Sequence, residues 1–127
     1  MSIKIGKVIK LAGLNVWPHE QYMADQLANA GYTVEFIKPS DTKYESTPDV
    51  LIDGEKWEMK SPRAGSLKAI RRNLKIAGWQ SNEIVFTAKR MKGIPDKAVE
   101  RELATQLVEL PKIVAIKFIT RHGGSLN

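Results

Sequence analysis

The chain has no cysteine. That excludes disulfides, thiolate zinc sites and a thiol nucleophile, and removes cysteine usage as a guide to redox compartment. No apolar run approaches the roughly 18–20 residues that a membrane-spanning helix needs. The opening stretch from Met1 to Leu14 is broken by Lys4, Lys7 and Lys10. A secretory signal needs an unbroken apolar centre, so no signal peptide is expected. Internal repeats, low-complexity tracts and an interdomain linker are also missing. What remains is ordinary for a folded protein: 127 residues, 43% hydrophobic and 27% charged. Wholesale disorder, a collagen-like chain and a coiled-coil rod are excluded. We expect one domain over 1–127, its core at about 17–119 and a loose tail over 120–127.

Acidic residues are in the minority. Twenty Lys and Arg face fourteen Asp and Glu, a formal charge of +6. A small basic domain attracts polyanions such as nucleic acid or an anionic membrane surface.

The pattern alternates helix and strand signals. Ile3, Ile5, Val8 and Ile9 alternate weakly, as an edge strand or an ordered arm. Pro18 suits a first helical turn. Met23, Ala24, Leu27 and Ala28 follow at helical spacing, and Gly31 stops the helix. Tyr32 to Ile37 is β-branched and aromatic and reads as a strand, with a polar loop over 38–48 behind it. Asp53-Gly54 joins two short runs, Asp49 to Ile52 and Glu55 to Lys60, as a hairpin. A helix from near Ser66 buries Leu67, Ile70, Leu74 and Ala77. Glu83 to Thr87 is a strand, Pro95 opens a helix carrying Val99, Leu103 and Leu107, and Ile113 to Ile119 is a last strand. The expected fold is mixed α/β, with helices packed on a central sheet.

A two-residue turn at Asp53-Gly54 pairs Ile52 with Glu55 and sets Asp49 opposite Glu58. Opposed residues have Cβ atoms roughly 4.5–5.5 Å apart, and Lys60 shares the face of Glu58. Val50, Ile52, Trp57 and Met59 take the other face, as core. Two facing carboxylates repel unless a cation lies between them, and Mg²⁺ favours such oxygen donors. A neighbouring lysine can orient a water or stabilise charge on a phosphate. The competing reading is a solvated ladder of alternating charges. Glu20 shares a stripe with Met23, Ala24 and Leu27. If that stripe packs on the sheet, Glu20, Asp49, Glu58 and Lys60 converge on one face. An acid in a first helical turn also suits the helix dipole, and His19 beside it reads first as a surface residue. Arg63, Lys68, Arg71, Arg72 and Lys75 follow with no acid between Glu58 and Glu83. Such a face is either solvated or a grip for a phosphodiester backbone. Trp79 and Tyr44 are the aromatics placed to stack on a base, with core or loop roles as the alternative.

Pro48-Asp49 followed by Glu58-Met59-Lys60 matches the PD-(D/E)XK nuclease signature. The wider phrase, Pro48-Asp49-Val50-Leu51-Ile52-Asp53-Gly54 and then Trp57-Glu58-Met59-Lys60-Ser61-Pro62, resembles the C-terminal nuclease domain of contact-dependent growth inhibition toxins. That group includes tRNA-cleaving members and has relatives in mobile-element proteins. His19-Glu20, Ala24, Leu27-Ala28 and Gly31-Tyr32-Thr33-Val34 resemble its first helix and strand. The resemblance implies a restriction-endonuclease-like core. It implies Asp49, Glu58 and the Met59 carbonyl as ligands of Mg²⁺, with Mn²⁺ as a substitute. Lys60 is then the catalytic lysine, Glu20 an accessory acid, and Gln80 a residue that orients substrate or water. The function implied is hydrolysis of tRNA or DNA, acting in the cytoplasm. A toxin would be delivered into another cell and would have an immunity protein. The chain carries its own Met1 and fits either an excised toxin domain or a free-standing enzyme. The alternative is a non-catalytic nucleic-acid-binding or assembly module on the same fold.

Overall fold

The structure, a computed structural model, describes residues 6–11, 13–37 and 50–121. The expected loop over 38–48, Asp49 and most of the expected tail lie outside the described residues. The elements are β1 (Val8–Ile9), α1 (Pro18–Asn29), β2 (Val34–Phe36), β3 (Val50–Ile52), β4 (Glu55–Lys60), α2 (Leu67–Ala77), β5 (Glu83–Thr87), α3 (Asp96–Glu109) and β6 (Ala115–Ile119). One six-stranded sheet runs β1 to β6 in chain order. The β2–β3 and β3–β4 pairs are antiparallel and the other three are parallel. The architecture is the expected mixed α/β sheet flanked by helices.

The hairpin register follows from its turn. Asp53 and Gly54 both take positive φ, 48° and 87°, as a two-residue turn matched to strand twist requires. Asp53 Oδ1 also accepts from the Thr33 amide at 2.8 Å, tying the turn to the start of β2. Val50 pairs with Trp57, Leu51 with Lys56 and Ile52 with Glu55.

Strand alternation splits the core in two. On one face Met23, Ala24 and Leu27 of α1 pack with Val34, Val50, Ile52, Trp57, Met59 and Val85. On the other, Ile70 and Leu74 of α2 and Val99 and Leu103 of α3 pack with Ile84, Phe86 and Phe118. Helix α2 is capped by Ser66, whose Oγ accepts from the Ala69 amide at 3.1 Å. Its buried residues are Ala69, Ile70, Leu74 and Ala77. Leu67 is not among them: it is 48% exposed, at the first residue of the helix.

Candidate functional site

Glu58 and Lys60 alternate onto the same side of β4, pairing with Ile84 and Phe86 of β5. That is the face covered by α2 and α3. Glu58 is only 5% exposed, which removes the reading of a solvated charge ladder. A buried carboxylate is costly unless something compensates its charge. The Lys60 ammonium lies 3.9 Å from its Oε2. The described pairing of β3 with β4 begins at Val50–Trp57. Asp49 itself lies outside the described residues. The Met59 side chain is buried in the α1-side core, so a part for Met59 at a metal falls to its main-chain carbonyl. Carboxylate and carbonyl oxygens are the donors that Mg²⁺ or Mn²⁺ accepts. Among the described residues, no three acidic or histidine side chains gather at one point.

Glu20 does not share the face of Glu58 and Lys60, because α1 packs on the opposite side of the sheet. It approaches from the sheet end instead. Glu20 lines a cavity of about 170 Å³ with Asn15, Phe36 and Ile37. Phe36 pairs with Val50, and Val50 with Trp57, so Ile37 sits one step along, toward the Glu58 end of the hairpin. Glu20 Oε1 also accepts from the Trp17 amide at 3.0 Å, holding one of the free donors at the helix start.

Gln80 is not brought alongside Lys60. Its neighbour Ser81 donates through Oγ to the Lys56 carbonyl at 3.1 Å. That fixes this segment at the opening of β4, about 13 Å of strand from Lys60. Gln80 Oε1 is buried without a hydrogen-bond partner among the described residues. Lys68, Arg71, Arg72 and Lys75 are all exposed on α2, off its apolar stripe, and Arg63 is exposed in the loop behind β4. Tyr44 lies outside the described residues. Trp79 is 69% exposed, with the Lys112 ammonium 4.3 Å from its ring centre.

The sequence reading missed Arg90. Its Nε donates to the Ser61 carbonyl at 2.9 Å and to Ser61 Oγ at 3.1 Å. Its Nη2 donates to the same carbonyl. Burial first, and then the charge of Arg63, lower its pKa. Gly65 fixes the same corner: a Cβ there would lie 1.9 Å from the Lys92 carbonyl oxygen, so only glycine allows the two loops to meet. Periodicity gives no signal for this pairing, but strand topology does. Arg63 and Arg90 each stand three residues past the ends of β4 and β5, adjacent parallel strands. The carboxyl ends of such strands are where α/β sheets present ligand-binding residues.

Fold and site together define a small mixed α/β domain with a buried acid, a lysine and a basic rim at one end of its sheet. The model for the contact-dependent growth inhibition CdiA C-terminal domain matches residues 45–124, and the chain belongs to that family. Among solved structures it is similar to a chain of the CdiA-CT/CdiI toxin and immunity complex from Burkholderia pseudomallei. The TM-score is 0.70 at 19% identity, over 94% of this chain and 98% of that one. No curated protein sequence matches the chain.

Proposed function

We propose that this chain is a metal-dependent endonuclease of the PD-(D/E)XK type, a toxin domain hydrolysing phosphodiester bonds in tRNA or DNA. The observation that carries the reading is the buried Glu58 beside Lys60, on the second strand of the Asp53-Gly54 hairpin. Asp49, Glu58 and the Met59 carbonyl would hold Mg²⁺ or Mn²⁺. The ion supplies positive charge at the scissile phosphate and a more acidic water. Lys60 orients the attacking water and stabilises charge developing on the phosphate. Glu20 reaches the same end of the sheet from α1. Arg63, Lys68, Arg71, Arg72 and Lys75 grip the nucleic-acid backbone as exposed cations. Gln80 has the weakest part, given its place at the far end of β4. A toxin of this kind acts in the cytoplasm of a recipient cell. By analogy with the toxin and immunity complex, an immunity protein is its neutralising partner.

The test incubates purified protein with plasmid DNA and, separately, with total tRNA. Each is run with Mg²⁺, with Mn²⁺ and with EDTA, beside Lys60→Ala and Asp49→Ala. Metal-dependent cutting lost in both folded variants supports the reading and names the substrate. Absence of cutting, with salt-sensitive binding that survives EDTA, overturns it in favour of a non-catalytic binding module.

A further inference from the structure

Trp17 is 68% exposed, although an indole is among the side chains with most to gain from burial. Its ring stacks with that of His19, centroids 6.4 Å apart and planes 17° from parallel. Both rings line a cavity of about 520 Å³ whose other walls are Pro18, Arg63 and Arg90. That volume lies within the roughly 300–1,000 Å³ typical of small-ligand sites. Two aromatic residues and two arginines thus line one space, beside the loop that leaves Lys60. Arg90 is held in place by Ser61, and its fork has donors left after those bonds.

Each part matches one part of a nucleotide. An exposed aromatic ring offers a stacking face to an unpaired base whatever its identity. A guanidinium binds a phosphate through paired donors. We propose that Trp17, His19, Arg63 and Arg90 form a nucleotide subsite next to the cleavage centre. It takes one unstacked base of the substrate on the indole and the adjoining phosphate on the two arginines. The inference rests on the nuclease reading, and it adds a preference for single-stranded or locally unpaired nucleic acid. Stacking needs an exposed base face, which a continuous duplex does not present.

The test measures binding of a short fluorescein-labelled oligonucleotide, as single strand and as duplex, to the whole chain in EDTA. Wild type is compared with Trp17→Ala, Trp17→Phe and Arg63→Ala, each checked by thermal melting. Trp17→Ala is expected to weaken single-strand binding about tenfold, and to change duplex binding little. Trp17→Phe, which keeps a ring, recovers most of the loss. Arg63→Ala flattens the dependence of log K on log salt by about one. Unchanged single-strand binding in Trp17→Ala, with metal-dependent cutting intact, overturns the subsite and leaves the nuclease reading standing. Failure of wild type both to bind and to cut overturns the two together.

Discussion

Arg90, in the loop behind β5, holds the main-chain carbonyl of Ser61, the residue that follows Lys60. The parallel neighbour strand thereby fixes where β4 delivers its lysine. A lysine at position 90 keeps the charge but loses the fork. Arg90→Lys is expected to lose about 1.5–3 kcal/mol of stability, the range for a hydrogen bond to a charged group. Cleavage should fall in kcat, because the displaced group is the one next to Lys60, and KM should rise, because the same fork serves the proposed phosphate contact. Urea unfolding and steady-state cleavage measure the two effects. Unchanged values of both would show that Ser61 is held by other means.

Glu20 has a structural duty in addition to its proposed chemical one, and the two separate by substitution. Glu20→Gln keeps an oxygen for the Trp17 amide but has no negative charge. It should stay within about 0.5 kcal/mol of wild type in stability and still lose cleavage. Glu20→Ala should lose cleavage and also about 1 kcal/mol of stability, as expected for a lost cap. Cleavage at the wild-type rate in Glu20→Gln would confine this residue to capping.

Glu83 provides a pH signature away from the site. Burial first, then the neighbouring Glu55 carboxylate, push its carboxyl above the ordinary range, and Lys117 draws it partly back. A carboxyl raised in the folded state favours folding while protonated. Its contribution is complete below the unfolded value of about 4.3 and is lost as pH rises through the raised value. Glu83→Gln should therefore gain stability over wild type as pH goes from acid to neutral. Denaturant midpoints for both proteins across that range test this; curves that stay parallel would contradict it.

The hairpin and the bounds of β4 were legible because a two-residue Asp-Gly turn leaves one register, and alternation then sorts every residue of β4. Which side of the sheet α1 occupies was not legible. Helical spacing marks an apolar stripe but not the sheet face that receives it, and for that reason Glu20 was expected beside Glu58 and Lys60. Leu67 fits the spacing of the α2 stripe, yet it stands 48% exposed, because spacing marks a face of the helix and not which of its turns is covered. Strand β2 is shorter than the apolar run that predicts it. Its pairing to β3 runs from Val34–Ile52 to Phe36–Val50. Trp17 and Arg90 lie outside the periodic segments, so no pattern drew attention to them; they become visible only where parallel strands bring their loops together.

Every strand of the sheet lies beside the one that precedes it in the chain. A polypeptide emerging end-first can therefore lay down this sheet one strand at a time. No later segment has to wedge between two that are already joined, and no covalent cross-link has to be remade, because the chain has no cysteine. Such a topology lets the sheet re-form from an unfolded chain by successive edge additions.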